Sequence, residues 1–385
     1  MIKFFKWLFW LFLIAIVIGL FYIQLILVPK TDAGMNPVTD HYPYKVSASA
    51  QKLHDSLIVA DLHADSLLWK RNPAKRHDYG HADLPRLREG GVDIQIFSTV
   101  TKSPSGLNFN GNAADAPDDI TKLALAQMWP PRTWQSIYER AAFQAQRLQK
   151  IESNKKNNLI IARSKTDMSS DKLIAVLATE GSHPLHGRVE NIERLYEEGY
   201  RMMGLQHFFD NRLGGSQHGA RKGGLTEFGR EAVLKMNEMN IIVDVAHSSE
   251  KVVRDVLALS PEPVVISHGG VASYCPRTRN RNMPDDILAE IGRRGGLIGI
   301  TYFNGAICDI SPTGIAQTIQ AAISLMGEDA VALGSDFDGT VTTSLDTSEL
   351  AVITQELISL GLSETTIRKV MGENVKRFLI QNLPD

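Results

Sequence analysis

The stretch LTEFGREAVLKMNEMNIIVDVAH, residues 225–247, holds the signal that decides the fold. Phe228, Ala232, Val233, Met236 and Met239 recur at the spacing of one helical face. From Ile241 the pattern changes to IIVDVAH, a short apolar run, rich in β-branched residues, that stops on a histidine. A run apolar at almost every position suits a strand of parallel sheet buried on both faces. A helix leading into such a strand predicts an α/β fold.

Seven more runs of this kind flank it: LIVAD (57–61), VDIQIFSTV (92–100), IAVLATE (174–180), RMMGLQH (201–207), PVVISH (263–268), LIGITYF (297–303) and VALGSD (331–336). Helical patterns lie between them. In LDTSELAVITQELISLG (345–361), Asp346 and Glu349 are spaced for a capping box and Gly361 for a stop. Eight strands interleaved with helices predict a closed (β/α)8 barrel of the TIM type rather than an open doubly wound sheet. A long segment after the second strand, about residues 102–171, is expected to fold as helices, either shaping a pocket at the strand ends or packing on the flank.

Composition narrows the partners without naming a chemistry. The chain is 43% apolar and 22% charged with a formal net charge of −2, so no strong field marks nucleic acid as a partner. Oligomeric state is not encoded here; a homodimer is compatible. The first thirty residues are distinctive: Trp7 to Val28 reads WLFWLFLIAIVIGLFYIQLILV, without a charge. At ~1.5 Å rise per residue, about 20 such residues cross a bilayer core. Lys3 and Lys6 precede the run, so the positive-inside bias puts the chain after Lys30 on the extracytoplasmic side, behind a single-pass anchor; an uncleaved anchor is the preferred reading and a cleaved signal the alternative. Residues 31–50 (TDAGMNPVTDHYPY and onward) are polar and turn-prone and read as a stalk, leaving 51–385 as one domain. Cys275 and Cys308, the two cysteines, form no CxxC; outside the cytoplasm they could pair, and either could equally be an isolated buried thiol.

The chemistry is expected where the strands end. His63 and Asp65 form an HxD after the first strand, and residues two apart on extended chain face the same way. Glu180, His207, His247, His268 and Asp336 end the third, fourth, fifth, sixth and eighth runs. A barrel gathers its strand C-termini around one mouth, so residues 63 to 336 converge on one small site. Imidazole and carboxylate without thiolate favour zinc or a similar divalent ion with open positions for water. Two ions can share a bridging carboxylate, hold a hydroxide between them and polarise a carbonyl, which is the chemistry of amide hydrolysis. His183 and His186 read as solvated or supporting residues, His81 and Asp83 as capping or surface residues, and Asp61 and Asp338 as supports of the site.

Five blocks in order, VADLHADSLLW, TEGSHPL, GLTEFGREAV…VDVAHSS, VVISHGG and GSDFDG, resemble the renal (membrane) dipeptidase family over nearly all of 51–385. The resemblance implies a (β/α)8 barrel with two zinc ions: His63 and Asp65 on one, His247 and His268 on the other, Glu180 bridging. It implies that His207 contacts the substrate and polarises its carbonyl, and that Asp336 carries a proton to the leaving amine. It further implies an arginine for the substrate carboxylate, within CPRTRNRNMPDD. Counting forward from His268 and Cys275 selects Arg279, counting back from Pro284-Asp285 selects Arg281, and Arg279 is the preferred reading. The family's cysteines near these positions imply a Cys275–Cys308 disulfide. The function implied is zinc-dependent dipeptide hydrolysis. A related enzyme for another small amide, such as an N-acyl amino acid or a β-lactam, and an inactive anchored binding protein are the competing expectations.

Overall fold

The computed structural model describes residues 2–385. Nine parallel strands run β1 (Val59–Ala64), β2 (Val92–Val100), β3 (Leu159–Ile161), β4 (Leu173–Glu180), β5 (Tyr200–Gly204), β6 (Ile242–Asp244), β7 (Val265–Gly269), β8 (Leu297–Ile300) and β9 (Val331–Leu333). Their order is β2-β1-β9-β8-β7-β6-β5-β4-β3, and a β2–β4 pairing closes the ring. The expected (β/α)8 barrel is therefore present, with β3 as an addition. β3 pairs with the start of β4 at Leu173 to Ala175, and β5 takes over the same edge from Leu177.

The strands are apolar on both faces because both faces are covered. In β4, Ile174, Val176 and Ala178 join the barrel interior with Leu62, Ile96 and Met202. Leu173, Ala175 and Leu177 alternate with them and pack outward, into the layer that holds Val233, Met236 and Val256 of the surrounding helices. The C-terminal helix, Asn374–Asn382, inserts Val375, Phe378 and Leu379 against the interior set. Helix starts follow side-chain caps: Thr226 accepts from Gly229 N, Ser249 from Val252 N, and Asp346 with Glu349 forms the expected capping box.

Four of the strands, β5, β6, β8 and β9, stop earlier than their apolar runs. β5, β6 and β9 end three residues before His207, His247 and Asp336. His247 and Asp336 sit at φ 62° and 63°, a left-handed turn that takes the chain out of the ladder and over the barrel mouth. Gly299 and Gly334 permit close packing beneath it, since a Cβ on either would lie 2.1 Å from the Ser267 carbonyl oxygen.

Two further parts differ from expectation in extent. The long segment after β2 divides its roles: Ser103, Leu107, Phe109 and Ile120 line the cavity at the mouth, whereas helix Ile137–Ser153 buries Tyr138, Ala141, Ala145 and Leu148 on the barrel flank. The N-terminal helix, Lys3–Met35, is long and apolar enough to cross a membrane. It continues beyond Lys30 into the residues expected to form a stalk. There Asp32 and Asn36 are buried against the barrel, because each finds polar partners on it. Cys275 and Cys308 are disulfide-bonded, with Cα atoms 5.5 Å apart.

Candidate metal centre

Glu180, the last residue of β4, sits among four imidazoles. Its Oε1 lies 3.1 Å from His247 Nε2, 3.4 Å from His268 Nε2 and 3.7 Å from His63 Nε2. Its Oε2 lies 3.4 Å from His207 Nε2. His63 Nε2 is also 3.5 Å from Asp65 Oδ2 and 3.8 Å from Asp336 Oδ1. All seven residues are buried. The barrel thus brings together every expected histidine and carboxylate, from six strand ends and the loops that follow them.

Neighbouring groups aim the rings inward. Ser267 Oγ lies 2.9 Å from His268 Nδ1 and 3.3 Å from His63 Nδ1, and donates to Asp244 Oδ2 at 2.6 Å. With Nδ1 occupied in this way, Nε2 of both rings faces the centre. Asp61 accepts from the Ser335 amide and hydroxyl, tying β1 to the loop after β9. Asp338 is buried with His81, whose Nδ1 accepts from its amide, so His81 is not a surface residue; Asp83 caps helix Leu84–Glu89 as expected. His183 is buried and His186 exposed, and neither faces Glu180.

The charge balance is that of a cation site. Burial alone would lower His63, but Asp65, Glu180 and Asp336 lift it to about 10. Burial raises Glu180 well above the carboxylate range, with Asp65 adding to it, and raises Asp336 to about 7. Burial, followed by nearby positive groups, lowers His247 and His268 well below the usual imidazole range, so both are neutral and able to donate lone pairs. Burial also lowers His207, to about 4. Without metal, the cluster compensates its carboxylates with protons and the nearby Arg281 guanidinium; divalent cations would replace the protons. His63 Nε2 and Asp65 Oδ1 are buried without hydrogen-bond partners, as donors turned to an ion would be. Grouped by distance, His63, Asp65 and Glu180 could hold one ion, and Glu180, His207 and His247 another; His268 also groups with His63 and Asp336.

The cluster floors a cavity of about 310 Å³ whose walls include Phe109, Phe208, Phe303 and Val341. Arg281 lines it; Arg279 does not. The preference for Arg279 is corrected on this point: Arg279 follows the short turn Pro276–Thr278 and is exposed, whereas Arg281 is buried. Arg281 Nη2 donates to the His268 carbonyl at 3.1 Å, and its Nε has no partner. Sequence reasoning passed over Ser267, Asp244 and His218, which stacks on Phe208 with ring centroids 4.5 Å apart. Asp244 carried a signal: an acid inside an apolar strand run must find buried donors.

Comparison with known proteins places this geometry. Residues 47–382 match the family described as membrane dipeptidase, peptidase family M19. The chain is 28% identical over 310 residues to dipeptidase verJ of Clonostachys rogersoniana, covering 78% of this chain and 75% of that one. It is similar to the crystal structure of dipeptidase AC, a family M19 metallopeptidase, at 25% identity and TM-score 0.69, over 86% of this chain and 99% of that one. A Rhodobacter sphaeroides metallopeptidase, solved with a phosphinate mimic of the dipeptide L-Ala-D-Ala, shares the fold at 24% identity and TM-score 0.68, over 85% and 99%.

Proposed function

The chain belongs to the membrane dipeptidase family, peptidase family M19, and is a metallo-dipeptidase; on that premise we propose that it hydrolyses dipeptides with two zinc ions held around Glu180. The observation that carries this reading is Glu180 between two sets of donors, His63 with Asp65 and His247 with His268, under one cavity. In the proposal each set would hold one ion, and Glu180 would be a ligand shared by both. The ions, when bound, supply a water made nucleophilic at neutral pH and polarisation of the scissile carbonyl.

The protein's own groups do the rest. Arg281 grips the substrate carboxylate with two parallel hydrogen bonds, one from the Nε that has no protein partner. A guanidinium in that place selects substrates that end one residue beyond the scissile bond. His207 faces the substrate carbonyl. Its Nδ1 donates to the Lys102 carbonyl at 3.2 Å, which fixes the ring with Nε2 toward the centre, where it orients the carbonyl end of the substrate. Asp336 takes the proton released as the water oxygen bonds to the carbonyl carbon. It delivers that proton to the amide nitrogen as the carbon–nitrogen bond breaks. Phe208 and Phe303 line the cavity and present apolar surface around these transfers.

The N-terminal helix, in this reading, is an uncleaved anchor with Lys3 and Lys6 in the cytoplasm and the barrel outside. The Cys275–Cys308 disulfide supports an oxidising compartment. Hydrolysis of an unblocked dipeptide by the purified, zinc-loaded protein, with the corresponding dipeptide amide left intact, tests the assignment. Equal cleavage of both would favour the broader amide hydrolase.

A further inference from the structure

The residues just after the apolar run, at the end of the N-terminal helix, reach the loop that carries Asp336. Asp32 Oδ2 accepts from Arg71 Nε at 3.0 Å, and the same guanidinium forms an ion pair with Asp338. Arg71 is seated by Ala82, whose carbonyl accepts from Nη1 at 3.0 Å. Gly80 leaves room for it, since a Cβ there would lie 2.5 Å from the guanidinium carbon. Asn36 works in parallel: its Nδ2 donates to Asp32 Oδ1 at 2.9 Å and its Oδ1 accepts from Thr340 N at 2.9 Å. Asp32, Asn36, Arg71 and Asp338 are each at least 96% buried.

The loop they hold needs holding. Asp336, Asp338 and Thr340 all lie at positive φ, 63°, 65° and 63°, where non-glycine residues are strained. Such a backbone persists only when its surroundings over-determine it. Part of that restraint comes from within the barrel, where Asp338 accepts from Ser66 Oγ and from the His81 amide. Further restraint comes from residues 32 and 36, which precede the family match at residue 47.

We propose that Asp32 and Asn36 are positioning residues for Asp336, so that the end of the N-terminal helix is part of the catalytic loop's support rather than a spacer. The proposal rests on Asp336 being the proton carrier of the dipeptidase reading. Misplacing that carboxyl by a fraction of an ångström to an ångström slows proton transfer but leaves the metal ligands and Arg281 in place. Turnover should therefore fall while substrate affinity does not.

The test uses the full-length protein in detergent, with Asp32→Ala, Asp32→Asn and Asn36→Ala, and Asp40→Ala as an exposed control in the same segment. For Asp32→Ala and Asn36→Ala, kcat should fall ~10- to 100-fold with KM within about twofold. Asp32→Asn, which keeps an oxygen toward Arg71 Nε, should lose less, and Asp40→Ala should match wild type. Amide hydrogen exchange over residues 334–341 should quicken in the two alanine variants. Asn36→Ala keeps Arg71 paired to both carboxylates and serves if Asp32→Ala folds poorly. Unchanged turnover per folded molecule overturns the proposal, even if exchange quickens, because the segment then supports only the fold. Should wild type cleave no dipeptide, the functional reading fails instead, and exchange over 334–341 alone decides whether residues 32 and 36 hold the loop.

Discussion

His247 and His268 bring their Nε2 atoms within 2.9 Å of each other, each also within 3.4 Å of Glu180 Oε1. Two neutral imidazoles meet this way as a hydrogen bond only if one carries its proton on Nε2. Ser267 Oγ beside His268 Nδ1, and the unpartnered Nδ1 of His247, leave that proton arrangement open. A shared cation satisfies both lone pairs at once. Glu180→Gln removes the charge at the centre while keeping its size. The variant is expected to lose at least one metal ion and to slow by more than about a hundredfold, beyond what loss of a supporting residue costs. Metal analysis showing two ions and near-normal turnover would refute the bridging role.

Arg281→Ala should raise KM for dipeptides. Losing a charge-assisted pair costs ~1.5–3 kcal/mol per hydrogen bond, about ten- to a hundredfold in kcat/KM. A dipeptide amide, already a poor substrate, should lose little more. Arg279→Ala should be neutral because its side chain is exposed. Kinetics of wild type and both variants on the dipeptide and its amide check both statements.

Protons and metal compete in the cluster, so pH should affect the metal-free protein differently. His63 is raised to about 10 when folded, above its unfolded value near 6.5. Its contribution to stability is complete below pH ~6.5 and is lost as pH rises through about 10. Chelated protein should melt at progressively lower temperature from pH 7 to 10. Zinc-loaded protein, where the cation has displaced that proton, should not follow the same slope. Parallel melting curves for the two forms would contradict the electrostatic account.

Much of the site was legible because a barrel converts strand ends into neighbours. His63, Asp65, Glu180, His207, His247, His268 and Asp336 could be chosen from where apolar runs stop. The arginine could not, because CPRTRNRN offers two equivalent Arg-Asn pairs and only the turn at Pro276–Thr278 decides which is buried. β3 escaped notice because three residues, LII, carry no period. Residues 31–50 looked like a stalk because Asp32 and Asn36 are satisfied by Arg71 and Thr340, 39 and 304 positions away. Local polarity cannot distinguish a solvated residue from one paired at that distance.

Truncation separates anchor from support. Removing residues 1–30 deletes the apolar run but keeps Asp32 and Asn36, and should leave a soluble, active enzyme. Removing 1–38 also deletes both, leaves Arg71 and Asp338 buried with one carboxylate fewer, and should cost stability and turnover together. Size-exclusion behaviour and activity of the two forms check this; aggregation of the first would show that the anchor and barrel do not separate.

The central claim, a two-zinc dipeptidase centred on Glu180, is tested most directly by titrating chelated full-length protein with zinc while following bound metal and dipeptide hydrolysis together. Activity should rise with bound zinc and plateau at about two ions per chain, with a dipeptide cleaved and its amide spared. A plateau at one ion, or dipeptide hydrolysis that survives complete chelation, would contradict it.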